Sequence, residues 1–367
     1  TTAGMNGRVM DNEGTPLPGA TVIAVHQPTG SQYGGITDTE GYFRLPNMQV
    51  GGPYKVTVSF VGYQPYEKDG IYLTLGQTYR LNVTLGQQNI ELAEVQVTGS
   101  RLGEYNVFDG NRTGAETIIG EQEITTMPTV ARDLTDFTRL TPQATVGGNG
   151  SISIAGMNNR YNAISIDGAV NNDVFGLAAT GTNGGQTGGT PISMDAIEQF
   201  QVVLAPYDVR QSGFAGASIN AVTRSGTNTF KGSAYYFSRN QNLAGLTPTD
   251  DETIERTKLP DFSSNTYGFR LGGPIIKNKL FFFASAEIQR DQTPKPFDFA
   301  NYTGDSDLAT VNQVADKLRS FGYEPGDFLD KTATLNSDKF LVKFDWNISE
   351  HHKLMIRHSY TNNEAVK

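Results

Sequence analysis

The C-terminal part of the chain, from residue 229 onward, is dominated by segments in which apolar and polar residues alternate. The apolar row of one such segment consists of Phe340, Val342, Phe344, Trp346 and Ile348. Lysines and other mostly polar residues stand between them, so a β-strand here would have one apolar and one polar face. Strands of an outer-membrane barrel show this pattern, and so do half-exposed strands of a soluble sheet. The alternation alone leaves both structures open.

The lengths of the connections separate these two interpretations. The alternation predicts five strands, at residues 229–240, 264–273, 279–290, 338–348 and 353–362. The joins at 274–279 and 349–352 are short, whereas those at 241–263 and 291–337 are long. Short and long joins therefore alternate, as the periplasmic turns and extracellular loops of a barrel do. We predict that residues 229–367 form transmembrane strands.

Five strands cannot close a barrel in a membrane. An open edge would leave backbone N–H and C=O groups unpaired in lipid, which is too costly for a stable structure. Barrels that hold a plug have about twenty-two strands. We therefore expect a truncated barrel, with this sequence as the N-terminal part of a longer protein.

Composition excludes several classes of protein. The 41 glycines, 20 phenylalanines and 16 tyrosines predict a mainly β chain with many turns. A net charge of −9 and the lack of a Lys/Arg cluster argue against a nucleic-acid partner. The sequence has no cysteine, so disulfides and thiolate metal sites are excluded. It also has no run of about eighteen apolar residues, so no transmembrane helix is predicted.

Residues 1–86 are predicted to form an immunoglobulin-like β-sandwich. The expected strands are Asn6–Met10, Ala20–His26, Tyr42–Leu45, Tyr54–Phe60, Ile71–Leu75 and Tyr79–Leu85. The run from Thr37 to Phe43, Thr-Asp-Thr-Glu-Gly-Tyr-Phe, followed by the strand from Tyr54 to Tyr63, resembles the carboxypeptidase regulatory-like domain family. That resemblance implies an accessory domain without catalysis. Asp38 and Glu40 beside a glycine admit either a calcium-binding turn or, as we favour, a solvated turn.

A linker at residues 87–112 lies between two predicted domains, and its first part, residues 87–100, is a short alternating segment. Alternation without an obvious partner strand indicates an edge that another protein's sheet can extend. Within it, the sequence Glu-Val-Gln-Val-Thr-Gly resembles the TonB box of Bacteroidetes transporters. By that resemblance the TonB-binding residues are Glu94, Val95, Gln96, Val97, Thr98 and Gly99.

Residues 113–228 resemble the α+β plug domain of TonB-dependent receptors. We expect one helix carrying Val130, Leu134, Phe137 and Leu140 on an apolar stripe, and a second over Ser193–Phe200 with Ser193 as its N-cap. Two strands, Gln201–Leu204 and Ala217–Val222, would flank a turn rich in small residues.

The resemblance is most specific at the end of this segment. The run from Ala205 to Asn228, Ala-Pro-Tyr-Asp-Val-Arg-Gln-Ser-Gly-Phe-Ala-Gly-Ala-Ser-Ile-Asn-Ala-Val-Thr-Arg-Ser-Gly-Thr-Asn, resembles the Oar-like branch of these receptors in Bacteroidetes. Siderophore-type plugs usually carry Arg where this chain has Ala155, before Gly156. That departure puts an iron-chelate substrate in doubt.

No catalytic, metal or cofactor site is predicted. The histidines His26, His351, His352 and His358 do not form a ligand set, and His351-His352 falls in a predicted turn. The glycine-rich run at 181–189 lacks the Lys-Ser/Thr pair of a phosphate-binding loop. We therefore do not expect an enzyme.

The resemblance also assigns residues to two contacts. Plug arginines of the family pair with acidic residues of the barrel wall, which marks Arg210, Arg224 and the inward-facing Glu287 for a plug–barrel contact; solvated arginines in a wet lumen are the open alternative. Plug loops at the outer face meet substrate, and the residues on the substrate side would be Asn158, Asn159, Arg160, Asn171, Asn172 and Asp173. Some of these polar residues are expected only to cap turns.

The resemblance implies an active transporter of the outer membrane. Its N-terminal domain and TonB box would be periplasmic and its long loops extracellular. The implied partners are the TonB C-terminal domain with its inner-membrane motor, outer-membrane lipid and an extracellular peptide, protein fragment or oligosaccharide; a surface lipoprotein partner is left open. The alternatives are a surface adhesin made of soluble β-domains and, ranked last, an accessory subunit of a peptidase.

Overall fold

The computed structural model describes residues 2–87, 116–127, 129, 132–147, 150–204, 213–247, 249–250, 253, 255–295, 303–326, 329, 331–349 and 352–366. These residues form three bodies, which we call the N-terminal domain (2–87), the middle domain (116–230) and the long-stranded sheet (231–366). The three bodies are in contact with one another.

The N-terminal domain is a sandwich of two four-stranded sheets. Its strands are β1 (Ala3–Asp11), β2 (Thr21–His26), β3 (Ser31–Ile36), β4 (Tyr42–Met48), β5 (Gly51–Ser59), β6 (Tyr66–Leu73), β7 (Thr78–Arg80) and β8 (Val83–Leu85). One sheet has the order β4-β1-β7 with β8 also on β1, and the other the order β3-β2-β5-β6. Alternate residues such as Val22, Ala24 and Val56 are buried between the sheets, so the apolar face of each strand points inward.

The predicted sandwich therefore forms, with two differences in its strands. The prediction missed β3, whose sequence Ser-Gln-Tyr-Gly-Gly-Ile has two glycines and little apolar alternation. The single strand predicted at Tyr79–Leu85 is two short ones, β7 and β8, which pair with β1 in the same parallel register but are interrupted between Arg80 and Val83. Asp38 accepts hydrogen bonds from the backbone N–H groups of Glu40 and Tyr42 at 3.0 and 2.8 Å, so its carboxylate closes the turn itself.

The middle domain is built around a mixed sheet. Its elements are β9 (Glu116–Ile119), α1 (Glu121–Thr126), α2 (Leu134–Thr138), β10 (Ala144–Val146), β11 (Ile152–Ile154), β12 (Ala163–Ile166), β13 (Ala169–Val170), β14 (Ile197–Val203) and β15 (Ser218–Thr223). One-turn 3₁₀ helices lie at Asn159–Tyr161, Gly185–Thr187 and Met194–Ala196. The main sheet has the order β13-β12-β15-β14-β9, with β12 and β15 parallel. Phe137, Phe200 and Ile219 are buried in its core.

Both helix predictions for this domain need correction. The helix expected over Ser193–Phe200 is only one 3₁₀ turn, capped by Ser193, after which β14 begins at Ile197. The residues of β14 pair on both sides, with β15 and β9, and these two ladders outweigh the local helical pattern. The helix expected around Leu134 and Phe137 extends only from Leu134 to Thr138, so it ends before Leu140; Val130 lies outside the described residues.

The long-stranded sheet has the antiparallel order β16-β17-β18-β19-β20. Its strands are β16 (Lys231–Asn240), β17 (Ser263–Ile276), β18 (Leu280–Pro294), β19 (Thr332–Asn347) and β20 (Lys353–Val366). The five predicted strands are thus confirmed, and β18 and β19 extend further into the second long join. The amphipathic stretch in the second long join is a helix, α3 (Leu308–Ser320).

Polar residues line the buried face of this sheet, and apolar residues line its exposed face. On β19, Lys339 and Lys343 are each 5% exposed, whereas Phe340 and Phe344 are 45% and 40% exposed. The buried face packs against the middle domain, and Phe283 and Leu341 enter the middle domain's core. A strand with its polar side inward and its aromatic side outward is suited to a lipid surface.

The N-terminal domain and the loops of the middle domain lie at opposite ends of the sheet. The N-terminal domain contacts the short β19–β20 join, where Ser31 meets Asn347. At the other end, Thr361 of β20 donates a hydrogen bond to the Pro191 carbonyl, beyond the 3₁₀ turn at 185–187. Among the described residues, no helix has the length and apolar composition needed to cross a membrane.

Candidate functional site

The contact between the middle domain and the long-stranded sheet contains buried ionic groups. The first is centred on Glu287, which lies opposite Lys339 in the β18–β19 ladder. Lys339 Nζ is 2.8 Å from Glu287 Oε1. Glu287 Oε2 accepts hydrogen bonds from Ser193 Oγ of the middle domain at 2.8 Å and from Tyr235 OH of β16 at 2.5 Å. Glu287 therefore faces inward, as predicted, and its carboxylate joins the two bodies through Ser193.

A second group holds Asp195 of the middle domain. Its Oδ2 accepts a hydrogen bond from Ser233 Oγ at 2.8 Å and lies 3.2 Å from Arg270 Nε. Ser233 and Arg270 face each other on β16 and β17. One acid of the middle domain is thus held by a hydroxyl and a guanidinium from two neighbouring strands.

A third group connects the β12–β13 turn with β19 and β20. Asp167 Oδ2 lies 2.8 Å from Arg357 NH1, and both Asp167 oxygens accept hydrogen bonds from Thr223. Lys343 Nζ donates to the Thr223 carbonyl oxygen at 3.1 Å. Burial alone would raise the pKa of the Asp167 carboxyl, but Lys343, Thr223 and Arg357 together hold that pKa below its usual value. Asp167 is therefore charged when it meets the sheet.

These contacts reverse the expected direction of the ionic pairing. The prediction placed arginines on the middle domain and an acid on the strand wall. In the structure Arg224 pairs with Glu121 of its own domain at 2.5 Å, and Glu287 pairs with Lys339 of its own sheet. The acids Asp167 and Asp195 come from the middle domain, while their bases come from the strands. Arg210 lies outside the described residues.

The sequence carried a signal for these missed residues. Lys343 and Arg357 occupy the inward row of alternating strands, where a buried base requires an acid or carbonyl partner. Asp167 precedes Gly168, a pair that is typical of a turn. Its backbone has a φ of 48°, so the left-handed turn is also what aims its carboxylate at the sheet.

The six residues predicted to face substrate lie together in the loop region of the middle domain, at the end of the sheet opposite the N-terminal domain. Most of them serve the loop itself. Asn158 caps the 3₁₀ turn at Arg160, Asn159 donates to the Ala178 and Ala179 carbonyls, Asn171 bonds to Asn183, and Asn172 bonds to Ile164 and Asn162. The Arg160 side chain is exposed.

Asp173 organises the most prominent part of this loop. Its carboxylate accepts hydrogen bonds from the backbone N–H groups of Phe175, Leu177 and Ala178 at 3.0, 2.7 and 2.6 Å. The amide of Ala178, followed by those of the neighbouring residues, lowers the pKa of this carboxyl. The loop tip that it shapes exposes Val174, Phe175 and Leu177, which are 81%, 79% and 66% exposed. The sequence analysis, which looked for polar residues, missed this apolar tip.

A cavity separates part of the middle domain from the sheet. It has a volume of about 660 Å³ and is lined by charged residues of both bodies, among them Arg132, Asp133, Arg239, Asp291 and Lys339. The Arg132 guanidinium lies over the ring of Phe237 at 4.4 Å. Within the described residues, no group of His, Asp or Glu side chains is placed to hold a metal ion. The predicted TonB-binding residues, Glu94 to Gly99, lie outside the described residues.

Three protein families match consecutive parts of the chain. Residues 4–86 match the carboxypeptidase regulatory-like domain, residues 111–219 the TonB-dependent receptor plug domain, and residues 222–315 an outer membrane beta barrel domain.

Two curated proteins are similar in sequence. The TonB-dependent transporter Oar of Myxococcus xanthus is 27% identical over 261 residues, which cover 68% of this chain and 23% of that protein. The probable TonB-dependent siderophore receptor PirA of Acinetobacter baumannii is 27% identical over 177 residues, or 44% of this chain and 21% of that protein. The chain thus spans less than a quarter of the length of these relatives.

A solved structure, the outer membrane transporter YddB from Escherichia coli, aligns over 68% of this chain and 33% of its own, with a TM-score of 0.49 and 17% identity. The three family matches follow the order of the three bodies of the fold. The chain thus carries, in this order, a carboxypeptidase regulatory-like domain, a TonB-dependent receptor plug domain and an outer membrane beta barrel domain.

Proposed function

We propose that this chain is part of an active transporter that takes up a large substrate through a plugged barrel. The observation that carries the proposal is the position of the middle domain on the polar, buried face of the long-stranded sheet, whose other face is apolar and exposed. A barrel made of such strands would enclose the middle domain and be blocked by it. The similarity to Oar, which is named a transporter, supports this function.

We propose that the segment Glu94–Gly99 binds the C-terminal domain of TonB by adding a strand to its sheet. The first described strand after this segment, β9, is the terminal strand of the middle-domain sheet and pairs with β14. Tension on the segment would therefore reach the middle domain through β9. An inner-membrane motor acting through TonB would supply that tension.

We propose that the ionic contacts hold the plug firmly and still allow it to move. Asp167 with Arg357 and Asp195 with Arg270 are largely shielded from water while the domain is seated. Once water enters, all four charges are rehydrated, and exposed ion pairs contribute little. The ion pairs thus hold the middle domain while water is excluded from them. Once water reaches them, little free energy is needed to separate the middle domain from the sheet.

The apolar loop tip favours a substrate with apolar side chains. We propose a peptide or protein fragment as the substrate, with an oligosaccharide as the alternative, and we place Val174, Phe175 and Leu177 beside Arg160 on the substrate side. The tip is prearranged by Asp173, so binding pays little ordering entropy. The run at 205–228 and the similarity to Oar support an Oar-like receptor, and we propose a surface lipoprotein as a further partner.

Deletion of Glu94–Gly99 from the full-length protein tests this function. We expect the variant to keep its surface binding of a fluorescein-labelled tryptic peptide digest and to lose energised uptake to the level of cells without TonB. Deletion of the equally long segment Tyr105–Gly110 is the matched control and should retain uptake. Uptake that survives the first deletion would remove the mechanism.

A further inference from the structure

The N-terminal domain touches both the middle domain and the long-stranded sheet at the end of the short joins. We propose that it is a latch that fastens the middle domain to the barrel wall on the periplasmic side, so that the middle domain moves only when the latch opens. The purpose of the latch rests on the proposed transport function. The latch itself is inferred from the described contacts, and it can be tested without a transport assay.

Two glutamines of β14 form hydrogen bonds with the backbone of Leu75 in the N-terminal domain. Gln199 Oε1 accepts a hydrogen bond from the backbone N–H of Leu75 at 2.8 Å, and Gln201 Nε2 donates one to the Leu75 carbonyl oxygen at 2.9 Å. Residues two apart on a strand share one face, so the two amides copy the pairing of a neighbouring strand. Gln199 and Gln201 are both buried, and separation would leave these groups without their partner.

Glycines allow the two surfaces to approach this closely. A Cβ at Gly76 would lie 3.1 Å from Gln201 Nε2, and one at Gly51 would lie 3.0 Å from Glu198 Oε1. Both glycines have a positive φ, 72° and 91°, so a side chain there would be strained as well as crowded. The surfaces are therefore shaped for direct contact. Val222 of β15 also packs in the hydrophobic cluster of the N-terminal domain.

The same domain binds the short joins of the sheet. Asn347 Nδ2 donates to Ser31 Oγ at 2.9 Å, and Lys353 Nζ lies 3.3 Å from the centre of the Tyr33 ring. Asn347 ends β19 and Lys353 begins β20, so both flank one short join. The backbone N–H of Asn228, where the middle domain leads into β16, donates to the Pro28 carbonyl at 2.8 Å.

The contacts therefore form a bridge between two bodies. Leu75 is held by β14 of the middle domain, and Ser31 and Tyr33 are held by the strand ends around the β19–β20 join. Any displacement of the middle domain relative to the sheet must break one of the two sets. A domain that served only as a spacer would need neither.

Chemical bridging of Ser31→Cys and Asn347→Cys in the full-length protein tests the latch. Residues 1–367 contain no cysteine, and any cysteine elsewhere in the full-length protein is first replaced by serine. A short, reducible bis-methanethiosulfonate reagent then joins only the introduced pair. The readout is the frequency of channel openings in planar bilayers at a urea concentration that loosens the plug. We expect openings to fall at least tenfold in the bridged protein and to return after reduction.

The matched control is Thr21→Cys with Ser59→Cys, a facing pair of β2 and β5 inside the N-terminal domain; its bridging should leave openings unchanged. Equal opening frequencies in the bridged and reduced latch variants would overturn the proposal. If the bridged variant does not insert into the bilayer, spin labels at Val61→Cys and Lys277→Cys report the distance between the domain and the β17–β18 join. A narrow distribution at rest that broadens in urea supports the latch, and a broad distribution at rest refutes it.

The bilayer experiment needs neither TonB nor substrate. A failure of the latch would therefore appear as unchanged openings while uptake still depends on Glu94–Gly99. A failure of the transport function would appear as uptake indifferent to that segment, whatever the bilayer result.

Discussion

The N-terminal domain and the long-stranded sheet use the same alternation of side chains in opposite ways. On β2, Val22 and Ala24 are buried and the face with Thr21 is exposed; on β19, Lys339 and Lys343 are buried and Phe344 is exposed. Alternation of side chains with a period of two gives a strand two different faces but does not determine which face is buried. Which face is buried is decided by the surrounding solvent, water for the first and lipid for the second.

Substitutions on the buried polar face of the long-stranded sheet should have the largest effect on stability. Glu287→Ala leaves Lys339 charged and without its carboxylate, and breaking a buried pair from one side costs about 4 kcal/mol of unfolding free energy. The measurement is urea unfolding of the refolded full-length protein in lipid vesicles. The double variant Glu287→Leu with Lys339→Met removes both charges and should be clearly less destabilised. If Glu287→Ala were as stable as the parent, this face would be hydrated and the Glu287–Lys339 pair would contribute little.

A lysine at an exposed apolar position should destabilise the long-stranded sheet but not the N-terminal domain. Phe344 is 40% exposed on β19, and Ile23 is 38% exposed on β2. Phe344→Lys should cost about 3 kcal/mol because a lysine would face lipid. Ile23→Lys should change the stability by less than about 0.5 kcal/mol because it faces water. Equal effects in the vesicle unfolding assay would contradict a lipid-facing sheet.

The fold could be predicted further than the contacts between its parts. Alternation and join length located all five long strands, because both signals are local. The helix predicted over Ser193–Phe200 was wrong because pairing of β14 with two neighbours is a long-range effect that outweighs local pattern. The pairing of Asp167 with Arg357 joins residues far apart in sequence, so no spacing rule could reveal it.

The contact between the middle domain and the N-terminal domain should respond to pH through Glu198 of β14. Burial against the N-terminal domain raises the pKa of this carboxyl to about 7, with Lys343 and Arg224 opposing and Glu121 adding to the rise. The folded state therefore holds a proton that the unfolded chain has lost, and stability falls as pH rises from about 4.5 to about 7.

Glu198→Gln should remove this fall, so that the variant exceeds the parent by about 2 kcal/mol at pH 8 and matches it more closely at pH 5. The measurement is the urea midpoint at both pH values. Glu67→Gln, at an exposed pair with Lys55, is the control and should show no such trend. A parent whose midpoint is the same at both pH values would contradict a partly buried Glu198 that holds a proton in the folded state.

The loop tip with Val174, Phe175 and Leu177 carries an exposed apolar surface, and its loss should affect binding alone. Phe175→Ser should leave the unfolding free energy unchanged within about 0.5 kcal/mol because the side chain is exposed. Surface binding of the labelled peptide digest should fall about tenfold, which corresponds to about 1.4 kcal/mol. Val61→Ser, at an exposed apolar residue of the N-terminal domain, should leave binding unchanged. Equal binding by both variants would remove the tip from the substrate side.

Capture of the full-length protein by the immobilised C-terminal domain of TonB tests the central claim most directly. Strand addition depends on backbone hydrogen bonds, so Val97→Pro, which removes an N–H donor, should weaken capture at least tenfold. Val97→Ala keeps that donor and should bind within about threefold of the parent, since only a side-chain contact changes. Equal capture of the proline and alanine variants would contradict coupling through this segment.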